Sequence, residues 1–497
     1  MIDATTQRMT NGLRYGLVSR SRQSLRSLSR AALTVAALLG AAVVGIAVSP
    51  GADRTIAAEG APLGAGGEFQ EIQPARIYDS RDRSLAQGQF GPRPMSASET
   101  NPTVDIEVVG RGGLPEFVDA DGDGQDDNVL AVVVNITVIQ PTHVGFLRAY
   151  GTGSPEGTTS VVNFFAGSVL PNTAIIRPGD DGKMSMRLVS PTAPGTSHVA
   201  VDITGWFSTS SYSERGDRVV AIDPIRAYDS DLPQFGGATL RGGRQQVEVG
   251  IRGVGQVPDN DSVVGVVANI TGVNAFPGSV PTYISALPEP VPSGADPSTS
   301  TVNLVSGQIR PNMAILPLDP DGSIHLFNLQ GEVRMVVDVV AYLRRGDDED
   351  SRQGRVVPLV APFRAFDTRE PEFGDQPLGP AQAEDFSFED FVNDVSIAGE
   401  PVGAQSALIG NLTATGLQRQ YSWAPAETFL TAFPSPGDST FVPLVSNINI
   451  GENDTVPNLA LLPYGTSSQG PYSIRFYNRA GYLDYLLDVY AVILQDD

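Results

Sequence analysis

Three stretches of this chain open on one pattern: 74-PARIYDSR-81, 224-PIRAYDSD-231 and 362-PFRAFDTR-369 each give Pro, one residue, Arg, two apolar residues, Asp and a hydroxyl. Further on, each copy carries a strand-like run ending in Asn-x-Thr: 131-AVVVNIT-137, 265-GVVANIT-271 and 407-ALIGNLT-413. Next come 160-SVVNFFAGSVLPNTAII-176, 300-STVNLVSGQIRPNMAIL-316 and 446-SNINIGENDTVPNLALL-462, in which two asparagines sit nine residues apart every time. Each copy closes on an apolar run around one aspartate: 199-VAVDITGWF-207, 335-MVVDVVAYL-343 and 485-YLLDVYAVI-493. A threefold repeat of this kind constrains the fold before composition does, because each copy must be one self-similar unit. Loop lengths between the blocks vary while the block spacings hardly do, as expected of surface loops on a fixed β scaffold.

Within each copy the apolar runs are short, rich in Val and Ile and punctuated by Gly, Pro, Asn and Asp, without a long segment of helical period. A composition with 53 Gly, 38 Pro and 18% charged residues agrees with a turn-rich globular chain. The expected fold class is all-β: three tandem β-sandwich or jelly-roll-like domains after an N-terminal export signal. Periodicity does not choose between a sandwich, a jelly roll and a barrel. The repeats span about residues 67–207, 218–343 and 355–494, with a spacer at 53–66 and charged linkers at 208–217 and 344–354. Both linkers carry an Arg-Gly-Asp triplet, read as solvated linker rather than receptor ligand.

Six arginines between Arg8 and Arg30 precede the apolar run 31-AALTVAALLGAAVVGIAV-48, and the break 49-SPGA-52 follows it. This is the pattern of an export signal, either cleaved near Ala52 or Ala58 or retained as an anchor with its arginines inside. Either way the repeats are expected to be extracellular or at the cell surface, touching a membrane only through residues 31–48 if that run is uncleaved. A formal charge of -23, with Lys183 the only lysine, makes nucleic acid an unfit partner. With no cysteine in the chain, disulfides, thiolate metal sites and cysteine nucleophiles are excluded.

The repeat pattern also resembles a tandem domain of secreted actinobacterial proteins, which opens on Pro-x-Arg-x-x-Asp-Thr-Arg and closes on His-Val-x-Val-Asp-x-x-Gly-Tyr-Phe. The matching stretches are 362-PFRAFDTR-369, 252-RGVGQVP-258 and 197-SHVAVDITGWF-207. The third repeat departs most, lacking the Arg-Gly turn and closing on 483-LDYLLD-488. The resemblance implies an extracellular accessory or surface domain and implies no catalytic residues.

An aspartate flanked by apolar residues in a closing strand needs a cation or several N–H donors once buried. The opening arginines supply them: Arg76 with Asp202, Arg226 with Asp338, Arg364 with Asp488. Alternation along a strand places Arg76 and Asp79 on opposite faces, so no direct pair is expected between those two. The repeated asparagines read as partners for turn and strand-edge backbone groups. His143, His198 and His325 fall in different blocks and form no metal motif.

The stretch 118-VDADGDGQDDN-128 differs from these because its chemistry is local. Asp119, Asp121, Asp123 and Asp127 occupy positions 1, 3, 5 and 9 of a calcium-type loop, with Gly124 at 6 and the Gln125 carbonyl at 7. Leu130 stands at position 12, where a helical calcium loop needs a bidentate Glu, and Asp126 or Asn128 is the local substitute. The expected ligand is a structural calcium ion, in an insertion that only the first repeat carries.

The function expected from these features is that of an exported, non-enzymatic surface protein with a structural or adhesive role, binding a cell-envelope glycan or surface protein. Two rivals remain: a carbohydrate-binding cell-wall module and, less favoured, a secreted glycoside or peptidoglycan hydrolase. The first requires one exposed aromatic face per repeat, and Trp206, Tyr342 and Trp423 form no clear threefold set. The second lacks a separate catalytic domain, because the repeats consume nearly all of the exported part.

Overall fold

The computed structural model describes residues 55–56 and 66–496, apart from 83, 86–92, 98–102, 120–125, 192–193, 238–243, 275–277, 347–350, 374–375, 398–399 and 423–424. The run 31–48, on which the export expectation rests, lies outside the described residues.

Repeat 1 is built on β1 (Glu68–Asp79), β2 (Thr103–Glu107), β3 (Val129–Ile139), β4 (Gly145–Gly151), β5 (Val162–Phe164), β6 (Val169–Ile176), β7 (Lys183–Val189) and β8 (Thr196–Ser208). Repeat 2 follows with β9 (Asp217–Asp229), β10 (Gln245–Gly250), β11 (Val263–Val273), β12 (Thr282–Leu287), β13 (Val302–Leu304), β14 (Ile309–Pro317), β15 (Ser323–Asn328) and β16 (Arg334–Arg345). Repeat 3 has β17 (Val356–Asp367), β18 (Gln382–Ser387), β19 (Gln405–Gln418), β20 (Glu427–Pro434), β21 (Ile448–Gly451), β22 (Thr455–Pro463), β23 (Gly470–Asn478) and β24 (Tyr482–Leu494). A single helical turn, Glu389–Asp394, stands in repeat 3 where the other repeats make their glycine turn.

The hydrogen-bonded order is the same in every repeat: first, eighth, third and sixth strands in one sheet, second, seventh, fourth and fifth in the other. All these pairs are antiparallel. Two four-stranded sheets in this order make a jelly roll, so the expected all-β class takes its jelly-roll form.

Burial shows which sheet faces inward. Every residue of β3 is buried, and β11 and β19 are nearly as continuous. By contrast β4 alternates buried with half-buried positions, the mark of a strand with one wet face. The first sheet of each repeat is therefore covered on both faces, by its own partner sheet and by the neighbouring repeats. One apolar cluster accordingly runs through repeats 1 and 3 and takes in Val267, Met313, Ile315 and Leu343 of repeat 2.

Where the repeats meet, the sixth-type strands β6, β14 and β22 bring three sheet edges together. An edge strand carries N–H and C=O groups that need partners once water is excluded. Each of these strands has Pro followed by Asn: Pro171–Asn172, Pro311–Asn312 and Pro457–Asn458. The proline removes one donor from the edge, which is where a strand tolerates it. The next residue's amide, with donors and an acceptor on one short stem, supplies what the edges lack.

Asn312 donates to Asn135 Oδ1 at 3.0 Å and accepts the Thr173 N–H at 3.0 Å, both across the interface with repeat 1. Asn458 donates to Asn269 Oδ1 at 2.8 Å and accepts the Met313 N–H at 3.1 Å, both in repeat 2. Asn172 closes the cycle on repeat 3, donating to Asn411 Oδ1 at 3.0 Å and accepting the Leu459 N–H at 3.2 Å. The strand-end asparagines answer in the opposite sense: Asn135, Asn269 and Asn411 donate to the carbonyls of Ser300, Ser446 and Ser160 at 2.7, 2.6 and 2.7 Å. All six side chains are buried. Three equivalent sets of bonds, each repeat joined to both others, place the repeats around a pseudo-threefold axis. Pro171, Pro311 and Pro457 line a void of about 20 Å³ between the repeats.

A second joint lies where the first strands begin. Glu68 of repeat 1 accepts the Gly216 N–H at 2.9 Å and faces Arg218 at 2.8 Å and Arg355 at 3.4 Å. Parts of the two Arg-Gly-Asp triplets, Gly216–Asp217 and Arg345–Gly346, meet here, with Arg215 and Arg345 exposed. Asp217 lies in register with Arg345, the Gly346 N–H donates to the Gly216 carbonyl at 3.2 Å, and both glycines are buried.

Replacing Asn172 with Ala strands the Val161 carbonyl, the Asn411 side-chain oxygen and the Leu459 N–H in a buried interface. At about 1–3 kcal/mol for each buried group left unpaired, after relaxation, the expected loss is about 3 kcal/mol in a urea titration. An Asn172→Ala protein as stable as the wild type would contradict the ring's structural weight.

Candidate functional site

The repeated charges are spent within each jelly roll. Arg76 grips Asp202 through two bonds of 2.7 and 3.0 Å, Arg226 grips Asp338 at 2.9 and 3.1 Å, and Arg364 grips Asp488 at 2.9 and 3.3 Å. Each pair faces across the first and eighth strands, as the sequence leads one to expect. The expectation that Arg and the Asp three residues on stand apart is corrected: Arg226 reaches Asp229 at 2.9 Å, Arg364 reaches Asp367 at 3.0 Å and Arg76 reaches Asp79 at 3.4 Å. Register shifts between Arg226 and Tyr228 and between Arg364 and Phe366 break simple alternation, so both side chains share a face.

The hydroxyl that follows completes the motif. Ser80, Ser230 and Thr368 accept the N–H groups of Val199, Met335 and Tyr485 at 2.9, 3.0 and 3.0 Å. Burial raises Asp338 to about 6 against the pull of Arg226, so at neutral pH it is still a paired carboxylate. The opening motif is thus a clasp between first and last strands, with its polar atoms occupied.

The histidines lie apart. His198 Nδ1 stands 2.9 Å from Ser80 Oγ, but that hydroxyl already caps the eighth strand as its counterparts do without a histidine. His325 is buried against Asp319 at 2.9 Å, and His143 meets Thr142 at 3.0 Å.

Of the expected calcium ligands, Asp121, Asp123 and Gln125 lie outside the described residues, whereas Asp119 and Asp127 flank the loop. Among the described residues no group of three or more His, Asp or Glu side chains is gathered as a metal site would be. Asp126, a candidate substitute for the missing glutamate, closes the base of the loop instead. Its carboxylate accepts the N–H groups of Val118, Asn128 and Val129 at 3.0, 3.3 and 3.2 Å. The Thr209 hydroxyl donates to the Asp127 carbonyl, and the Asp127 N–H donates to the Val118 carbonyl at 2.7 Å. The loop therefore leaves and re-enters the jelly roll at a fixed neck, directly before β3.

Trp206 is buried, its ring 5.0 Å from that of Tyr212, and Tyr342 is half-buried; Trp423 lies outside the described residues. A different aromatic set emerges from strand register. Phe146, Tyr283 and Phe429 are each half-buried and each stand opposite an asparagine of the neighbouring strand: Asn163, Asn303 and Asn449. These asparagines are the first of each nine-residue pair, braced on Ser160, Ser300 and Ser446 at 3.0, 3.1 and 3.1 Å. Sequence reading missed this set because aromatic and asparagine are 17 residues apart in repeat 1 and 20 in the others.

Beside the third member of the set, repeats 2 and 3 border a half-open cavity of about 620 Å³. Gly307–Arg310 of repeat 2 form one wall; Phe429, Asn449, Asp454 and Arg479 of repeat 3 form the other. Arg310 joins the walls through Asp454 at 3.0 Å.

No family model matches the chain, and no curated protein matches it. Among solved structures it is similar to a protein described with the triple jelly roll fold and turret assembly of an archaeal virus, at 8% identity and a TM-score of 0.17, covering 85% of this chain and 90% of that one. A chain from the atomic structure of Sulfolobus Turreted Icosahedral Virus gives 9% identity and a TM-score of 0.16, over 85% and 91% of the two chains. The N-terminal CBM22-1–CBM22-2 tandem domain of Paenibacillus barcinonensis Xyn10C gives 7% identity and a TM-score of 0.13, over 55% of this chain and 98% of that one.

Proposed function

We propose that this chain is an exported, non-catalytic surface protein, a rigid three-lobed scaffold that holds binding faces outside the cell. One observation carries this reading: the arginines, the aspartates and the inter-lobe asparagines repeated in all three lobes are used up in holding the fold. The arginines and aspartates clasp first strand to last, and six asparagines join the lobes to one another. Repeated catalytic groups would instead converge on a cleft with free reactive atoms. The apolar run after six arginines supports export, and the resemblance of the repeat pattern to a tandem domain of secreted actinobacterial proteins agrees with a surface role.

Lys183, the only lysine, is partly exposed on β7 and gives a direct test. An amine-reactive reagent that cannot cross membranes labels Lys183 on intact cells under this reading. Labelling only after the cells are opened would overturn it.

The second part of the reading is that calcium fills the loop 119–127 and stiffens the entry to β3. The neck fixed by Asp126 and the alternating aspartates support it, since carboxylates crowded so closely repel one another without a cation. Millimolar calcium is then expected to raise the melting temperature of the full chain above its value in chelator, and Asp121→Asn with Asp123→Asn removes the difference. Equal melting temperatures with calcium and chelator would refute the site.

A further inference from the structure

We infer that the cavity between repeats 2 and 3 binds a short saccharide that carries a carboxylate. This deepens the reading of the chain as a binding scaffold and rests on it.

The volume of about 620 Å³ falls in the range of small-molecule sites, about 300–1,000 Å³. Its two walls are fixed to each other, because Arg310 spans them to Asp454 and the asparagine ring locks the lobes behind them. A ligand would therefore meet a preformed space and bind without ordering loops, which lowers the cost of association.

The lining describes the ligand. Phe429 offers a half-buried ring beside the cavity, a surface on which the C–H face of a sugar ring packs. Asn449, directly opposite it in register, and Gln308 across the gap are planar amides. With Asn449 Nδ2 bonded to Ser446 Oγ and Gln308 Oε1 to the Val305 N–H, they leave an acceptor on Asn449 and a donor group on Gln308 for sugar hydroxyls. The Gln308 side-chain oxygen accepts the Val305 N–H at 3.0 Å, so its amide is oriented before any ligand arrives.

Charge narrows the class. Arg310 is neutralised by Asp454, whereas Arg479 is exposed and makes no ion pair among the described residues. A guanidinium so placed suits a carboxylate, which it meets with two parallel bonds. Glu427 on the same wall opposes ligands of higher negative charge, such as phosphate-rich polymers. A polyol with separated single carboxylates fits; a strongly anionic or wholly apolar ligand does not.

The asymmetry among the lobes sharpens the assignment. Register places Asn328 of repeat 2 where repeat 3 has Asn478, for each accepts from the buried threonine of the facing strand at 2.8 Å. The residue after it is Leu329 in repeat 2 and Arg479 in repeat 3. Likewise Arg310 corresponds to Leu170 and Val456 in the aligned blocks. The aromatic and asparagine recur three times, but both arginines meet only at this interface.

Isothermal titration of the full chain with tetragalacturonate, and with a neutral galactose tetramer as control, tests the assignment. The acidic tetramer is expected to bind, the neutral one at least tenfold more weakly. Arg479→Ala is expected to bring the two to the same weak affinity at an unchanged melting temperature. Phe429→Leu, which keeps an apolar side chain in place, is expected to weaken both. No heat from tetragalacturonate, or binding unaltered by Arg479→Ala, would overturn the assignment. If the wild type and Arg479→Ala then sediment equally with whole cell-wall material, the surface-binding reading stands while the cavity is excluded; if neither sediments, the binding role fails as well.

Discussion

A β-sheet edge can be buried only if its backbone groups find partners, and in this protein three edges are buried against one another. Ordinary strand pairing would join two of them and leave the third. Asparagine solves the threefold case because one short side chain offers donors and an acceptor at once. Asn172, Asn312 and Asn458 each bond forward to an asparagine of the next lobe and accept a backbone N–H from it. Serine could not span the gap with both functions, and aspartate would bury a charge without donating. The proline before each asparagine removes one edge donor, so the Pro-Asn pair reads as a single device for closing three sheets around an axis.

The Arg–Asp clasps serve a different end. A buried ion pair adds little net stability over an apolar pair of the same volume, yet removing one partner alone costs about 3–5 kcal/mol. Such pairs therefore discriminate between registers more than they stabilise. With Asp338 fully enclosed, a slip of β9 against β16 by one residue would bury the carboxylate without Arg226. The serine or threonine beside each clasp acts in the same direction, holding one N–H near the start of the eighth strand to the end of the first strand.

The clasps were legible in the sequence because an aspartate between apolar neighbours announces its own need for a cation. The Arg-to-Asp contact within the first strand was not, since it depends on register shifts that composition does not signal. The asparagines were recognisable as fold residues, but their partners lie as far as 287 residues away, as with Asn172 and Leu459, and only the assembled axis identifies them. The jelly roll was legible as short apolar runs but not as a strand order, because edge and centre strands differ in what covers them rather than in local period. The aromatic and asparagine set beside the cavity was hidden for a similar reason: cross-strand register, not sequence spacing, brings its members together. The acidic loop 119–127 showed the reverse: its alternating aspartates were plain in the sequence, while the role of Asp126 at the neck emerged only from the hydrogen bonds.

The central claim is that the asparagine ring makes three repeats one cooperative body rather than three beads on a string. Differential scanning calorimetry of the chain from about residue 53 onward tests this most directly. A single transition is expected, with calorimetric and van't Hoff enthalpies in a ratio of about 1. Separate transitions for the individual repeats, or a calorimetric enthalpy about three times the van't Hoff value, would contradict it.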